Sequence, residues 1–324
     1  MSHNNAVTGL RGFVVFLIIF HHYSCRYGEL FLDSIIKFPV ESHYGGIIGN
    51  FMFMIMTGYF MARSLMNNEG GISSVLKYVV NRYWRFWPSY AFSVVLISIV
   101  LYFFPLYERS TDLKTIVFDF FLIYHPGFEH VDGSHWFLEA ILLIQVTLSL
   151  VLLIKNRLNR KWSLIALFLL TLLLYILGMN EVSFLENRTS LFLYTYLVLV
   201  GIIIYLYNDS IYIWIPVIIV GCLLLCISDS YIIPLSVIVL LVLFVLMIKY
   251  PSKFSLICLK PFKTVGECSF MWYLLHQNIG FVIMYYFLPK GEISLLWLII
   301  PMTVTFILAY FVNMIVKLMP SKMI

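Results

Sequence analysis

The chain has 324 residues, of which 62% are hydrophobic and 11% charged, and a formal net charge of +5. Its mean hydropathy of +0.95 lies far outside the soluble range. This balance excludes a soluble enzyme, and the small excess of cations does not argue for nucleic-acid binding.

A membrane-crossing helix needs roughly 20 apolar residues, and about ten stretches qualify. In chain order they are 8–27, 44–66, 87–105, 136–154, 162–178, 189–207, 211–228, 231–249, 268–288 and 294–318. Short turns such as Tyr207-Asn208-Asp209-Ser210 and Ser228-Asp229-Ser230 separate several of them, and the longest loops are 67–86 and 106–135. The expected fold is all-α: a polytopic membrane helical bundle of about ten transmembrane helices, forming a single domain over 1–324.

The first segment, GLRGFVVFLIIFHHYSC, carries Arg11 and His22 inside its apolar run. With Arg at that depth and no small-residue cleavage pattern, it is read as a retained helix rather than a signal peptide. The two residues lie eleven positions apart. That is three turns plus roughly 20°, which puts them on one face about 16 Å apart along the axis. His21 points about 80° away from that face. A charged side chain at membrane depth is costly and marks a functional surface by default. A neutral imidazole is also well suited to take a proton from a hydroxyl near pH 7. Taken singly, Arg11 would be a snorkelling cation and His22 an interhelical hydrogen bond.

Loop charge gives the orientation. Lys77, Arg82 and Arg85 stand against Glu69 in 67–86; Lys155, Arg157, Arg160 and Lys161 fill 155–161; Lys249, Lys253, Lys260 and Lys263 fill 249–266. The 106–135 loop is acidic, with Glu108, Asp112, Asp119, Glu129 and Asp132 against Arg109 and Lys114. The positive-inside rule then places both termini in the cytoplasm.

Three further clusters carry polar chemistry. Asn81-Arg82-Tyr83-Trp84-Arg85-Phe86-Trp87-Pro88 sets two arginines three apart at the entry to the third span. Guanidinium forks suit phosphates, and an interfacial aromatic belt with cytoplasmic charge gives the same pattern. In the ninth segment Ser269, Tyr273 and His276 fall at i, i+4 and i+7, one polar stripe on an apolar helix. That stripe either joins helices by hydrogen bonds or lines a cavity. The approach to the fourth span holds His125, His130, Asp132, His135, Trp136 and Glu139, without regular metal-ligand spacing. Acceptor binding or interfacial structure is the better reading there. The five cysteines form no CxxC, and no metal or disulfide framework is assigned.

These residues resemble the acyltransferase-3 family of integral membrane acyltransferases, which O-acetylate bacterial surface and secreted glycans. The family's first helix carries Arg, ten residues, then His, as Arg11 and His22 do here. Its second helix closes on Ser-Gly-Phe/Tyr-Leu, here Thr57-Gly58-Tyr59-Phe60. Its Arg-x-x-Arg-x-x-Pro is present as Arg82, Arg85 and Pro88, and Gly266, Ser269, Tyr273-Leu274 and His276 match its late helix. One departure stands at the fourth helix, where Glu139 follows Trp136 by three residues rather than five. No catalytic role is carried over to Glu139.

The resemblance implies transfer of an acetyl group from cytosolic acetyl-CoA to a hydroxyl of a glycan, an O-antigen, capsule or exopolysaccharide. Acetyl-CoA is the donor substrate, and no cofactor is permanently bound. Arg82 and Arg85 would hold the CoA phosphates, Arg11 would hold CoA or position the thioester, and His22 would be the general base. Ser269, Tyr273, His276 and Trp136 are candidates for lining the substrate cavity. Partners would be the glycan or lipid-linked glycan acceptor, membrane lipids and glycan-assembly proteins, and the location the cell inner membrane. A transporter or flippase for lipid-linked sugars, or a non-catalytic glycan-assembly subunit, are the other readings of the same buried Arg and His.

Overall fold

The computed structural model describes residues 3–31, 34–35, 43–107, 109, 112–122, 130–153, 166, 190–208, 210–227, 231–254, 259–292 and 294–318. These are almost wholly helical. Lipid offers no partner to backbone N–H and C=O groups, so an apolar chain satisfies them within each segment by coiling into a helix.

Helix α1 (His3–His21) runs through a π-helical turn, His22–Arg26, into the short α2 (Tyr27–Leu30). There follow α3 (His43–Asn67), α4 (Ile72–Phe103) and α5 (Leu113–Phe120). A 3₁₀ turn, Gly133–His135, leads into α6 (Trp136–Ser149). Then come α7 (Ser190–Leu206), α8 (Trp214–Ile227), α9 (Ile232–Lys249), α10 (Lys260–Phe287) and α11 (Ile299–Leu318). Between α2 and α3 the pair Ser34–Ile35 (β1) bonds in parallel to Gly291–Glu292 (β2), which follows α10.

Six segments among the described residues are long and apolar enough to cross a membrane: Asn5–Leu30, Tyr44–Asn67, Ile72–Phe103, Gly133–Leu153, Ile232–Lys249 and Leu295–Leu318. Tyr194–Leu206 and Ile211–Cys222 are shorter apolar helices. The α10 helix has 28 residues but is more polar, because the Ser269-Tyr273-His276 stripe continues into Gln277 and Asn278. The span expected at 162–178 and the basic loop 155–161 lie outside the described residues, apart from Ala166.

Two differences from the sequence expectation concern loops. The third helix starts at Ile72 rather than at 87, so Arg82, Arg85 and Pro88 all lie within α4. The 106–135 loop contains α5, whose first turn is capped by the Asp112 carboxylate accepting from the Thr115 N–H at 3.4 Å.

The chain divides into two compact units, one of Met1–Asn50, Phe86–Trp136 and Tyr250–Met323, the other of Phe51–Arg85 and Phe137–Lys249. In the first unit α1 crosses α10 at backbone contact. A Cβ on Gly12 would stand 2.9 Å from the Gly266 nitrogen, and one on Gly266 would land on the Thr8 carbonyl. Small residues of this kind let membrane helices meet closely where no hydrophobic drive between helices exists. In the second unit Gly58 and Gly201 perform the same service between α3 and α7: a Cβ on either would strike the Val198 or Ile55 carbonyl. Tyr59, next to Gly58, packs edge-on against Tyr205 and Phe244 at ring distances of 5.3 and 5.4 Å.

Candidate active site

Arg11 and Ser269 meet on a single carbonyl. Arg11 donates from Nε at 3.2 Å and from Nη2 at 2.5 Å to the Gly266 oxygen. Ser269 Oγ donates to the same atom at 2.8 Å. The guanidinium thus fastens α1 to α10 immediately beside the Gly12–Gly266 crossing. Arg11 is half-buried, whereas Ser269 is fully buried.

Farther along the same two helices, His22 and His276 stand edge to face with ring centroids 4.8 Å apart. His22 is the first residue of the π-helical turn. Such turns are rare and often mark functional positions, because the widened turn redirects the side chains it carries. Tyr23, the next residue, is fully buried and donates its hydroxyl to the His276 carbonyl at 2.7 Å. His276 is itself fully buried, and its Nδ1 donates to the Tyr273 carbonyl at 2.5 Å. A neutral ring that donates through Nδ1 keeps its lone pair on Nε2. The Nε2 of His276 and the Nδ1 of His22 are both buried without a hydrogen-bond partner among the described residues. The His21 ring stands edge-on to His22 with centroids 5.4 Å apart and also lies against Gly46, where an added Cβ would be 2.9 Å from Nε2.

The segment before α6 reaches into the same unit. Tyr273 donates its hydroxyl to the Ser134 carbonyl at 2.7 Å. Asp132 is fully buried; it accepts from the N–H and hydroxyl of Ser134 at 2.9 and 2.8 Å, and from the N–H of Asn278 at 2.9 Å. Asn278 Nδ2 answers by donating to the Val131 carbonyl at 2.7 Å. Beyond this latch, the Asp119 carboxylate lies 2.7 Å from His130 Nδ1, accepts the Val131 N–H at 2.7 Å, and stands 3.8 Å from His135 Nδ1. Burial alone would raise the Asp119 pKa. The hydrogen bond to His130 and the electrostatic attraction of the His130 and His135 imidazoles outweigh it and hold the carboxyl well below the usual carboxylate range. The imidazoles of this loop thus serve Asp119. Among the described residues, no group of three or more His, Cys, Asp or Glu side chains is placed to hold a metal. His125 lies outside the described residues.

The other sequence candidates are dispersed. Trp136, proposed as a cavity residue, is 39% exposed at the start of α6. Glu139, one turn later, is buried in the second unit. Arg82 and Arg85 also belong to the second unit and separate in burial. Arg82 is buried, donates from Nε to the Tyr78 hydroxyl at 3.2 Å and lies over that ring, while Arg85 is exposed.

Sequence reasoning named Asp132 only within the cluster before the fourth span and missed Gly12, Tyr23 and Asn278 as parts of the site. One signal was present: His276-Gln277-Asn278 is a run of three polar residues inside an otherwise apolar helix, where one would already be costly.

Comparison with curated proteins and with solved structures gives no match. The family comparison gives one. The family model described as an acyltransferase domain covers residues 4–314, nearly the whole chain. Several apolar helices and this match together make the chain a membrane protein of the acyltransferase-3 family.

Proposed function

We propose that the protein is a membrane O-acetyltransferase that moves an acetyl group from cytosolic acetyl-CoA to a hydroxyl of a surface or secreted glycan. Residues 1–324 act as one catalytic domain of the inner membrane, with ten crossings and both termini in the cytoplasm. The observation that carries the reading is the His22–His276 ring contact, with a buried, unpartnered nitrogen on each ring, in a chain of an acyltransferase family.

In this reading His22 removes the proton from the acceptor hydroxyl as its oxygen attacks the acetyl carbonyl carbon. The carbon–sulfur bond then breaks, the ester forms, and the imidazolium returns the proton to the departing CoA thiolate. A positioned general base of this kind contributes about 10²–10⁴-fold in rate. Arg11 acts toward the thioester end of CoA, and its bond to Gly266 holds α1 in the register that sets His22 against His276. Arg85, exposed on α4, takes the CoA phosphates. Arg82, backed by Tyr78, supports that face.

The test is the O-acetyl content of the host surface polysaccharide, read by proton NMR and mass spectrometry. It compares a deletion strain, its complement with the wild type, and its complement with membrane-inserted His22→Ala. Acetyl esters restored by the wild type alone are the expected result. Restoration by both would remove His22 as the base, and no acetyl change in any strain would overturn the acetyl reading and leave transport of a lipid-linked sugar.

A further inference from the structure

In the first unit α4 and α10 run side by side, with Phe86 against Phe270 at one level and Phe104 against Tyr286 and Phe287 at another. Their C-terminal ends therefore mark one face, where the Tyr286 hydroxyl donates to the Pro105 carbonyl at 2.7 Å. The chain leaves α4 at that face, and a simple loop to the next crossing would stay there. It does not. The Trp87 indole donates to the Phe120 carbonyl at 2.9 Å, and Trp87 lies 16 residues, about 24 Å, back from the end of α4. The stretch before α6 keeps to a similar depth against α10. Asp132 accepts from the Asn278 N–H, and His135 Nε2 donates to the Leu274 carbonyl at 3.3 Å. Those α10 residues lie about 14 and 20 Å from its end, and His276 falls between them. The polar cluster of this segment thus stands level with the His22–His276 contact.

Between that depth and the face, α4 presents an apolar surface: Val95, Ile99 and Phe103 are exposed. The segment therefore re-enters the apolar layer. Irregular backbone at membrane depth is tolerated only where protein covers it or water reaches it. One ion pair tells the two apart. Asp119 lies 2.7 Å from His130 Nδ1, and the His130 side chain is 23% exposed. A titratable group left open to hydrocarbon is costly, whereas water solvates it. Arg109, itself half-buried, brings its guanidinium to the same stretch, since a Cβ on Gly133 would stand 3.0 Å from its Nη1.

We propose that the described stretches between α4 and α6 form a re-entrant wall, on which Arg109 and the Asp119–His130 pair border a hydrated inlet for the hydroxyl-bearing acceptor. The inlet opens at the face where α4 ends and reaches the depth of His22 and His276. Assigning it to the acceptor rests on the acetyl-transfer reading and topology proposed above, which put this face opposite the cytosolic donor. The inlet itself does not rest on them.

The test uses full-length protein in lipid nanodiscs, in a background whose five cysteines are replaced and whose thermal midpoint is kept. Into it go His130→Cys, Val95→Cys and Tyr107→Cys, each treated with a cationic, membrane-impermeant methanethiosulfonate. Tyr107, exposed just beyond α4, sets the rate in open water. His130→Cys should react at least about tenfold faster than Val95→Cys, although it lies no nearer the face, because only a hydrated thiol yields the reactive thiolate. Equal rates, or a faster Val95→Cys, would overturn the inlet. In whole cells His130→Cys should be modified from the same side as Tyr107→Cys, and modification from the opposite side alone would also overturn it. Should His130→Cys fail to accumulate, Arg109→Cys takes its place under the same criteria. An oligosaccharide from the host surface polysaccharide, freed of acetyl groups and at saturation, should slow the reaction at least about threefold, and acetyl-CoA should not. No slowing by the oligosaccharide, or slowing by acetyl-CoA alone, would overturn the acceptor assignment. Protection by the oligosaccharide in a protein that transfers no acetyl group would remove the acetyl reading and leave the inlet standing.

Discussion

Asn278 and Asp132 are 146 residues apart in sequence, yet the backbone N–H of Asn278 donates to the Asp132 carboxylate at 2.9 Å. With the Ser134 N–H and hydroxyl on its other oxygen, Asp132 satisfies three donors at once. Each donor left buried and unpaired costs about 1–3 kcal/mol. Asp132→Ala should therefore destabilise the protein by several degrees or more in a thermal melt, and Asp132→Asn by less. A melt unchanged in Asp132→Ala would mean the latch bears no part of the stability.

His22→Ala should leave the melt nearly intact while lowering acetyl transfer by at least about 10²-fold, the lower end for a general base. The paired measurement is transfer rate and thermal midpoint on the same purified sample. A variant that loses both together would point to a structural role for His22.

Gly266→Ala should fail at the level of folding. Its new methyl would collide with the Thr8 carbonyl on α1, and both atoms are backbone or fixed to it. Overpacking of this kind costs about 1–3 kcal/mol where side chains can yield, and more where they cannot. Gly133→Ala, which meets the ends of the Arg109 and Gln277 side chains, should be tolerated better. Fluorescence-detected size exclusion of the two variants gives the comparison.

Asp119 predicts an acid limb. Its folded-state carboxyl titrates below the value near pH 4 of an unfolded chain, because His130 and His135 outweigh the effect of burial. The stability it contributes is therefore fully present above about pH 4 and is lost as pH falls toward the folded titration. Thermal midpoints measured from pH 7 down to pH 3 should fall more steeply in the wild type than in Asp119→Asn. Parallel curves would exclude Asp119 as the source.

Arg85→Ala should raise the KM for acetyl-CoA about tenfold, since a charge-assisted bond to phosphate is worth about 1.5 kcal/mol or more. Arg82→Ala should act chiefly on stability, because that guanidinium is buried against Tyr78. Equal KM effects from both would mean that the two arginines share the phosphates.

Much of the architecture was legible because lipid imposes one rule on every segment: long apolar runs coil. The spans expected to begin near residues 44, 231 and 294 therefore start within one residue of helices long and apolar enough to cross a membrane. The start of α4 was not legible. Pro88 marks the start of the apolar span, with an interfacial helix continuing into that span as the alternative, and the helix does pass through it from Ile72. The stripe of Ser269, Tyr273 and His276 follows from helical spacing, but its partners do not. Ser134, Gly266 and His22 are brought to it from distant parts of the chain. The π-helical turn at His22 leaves no mark in composition, since it arises from how α1 settles on its neighbours.

The short β1–β2 ladder has a bearing on motion. It ties the chain after α2 to the chain after α10, while Arg11 ties the same helices near their other ends, and Tyr23 ties them between. A slide by one helical turn is about 5.4 Å, and it would break all three ties together. The seam that carries His22 and His276 is thus held against sliding at three points along its length.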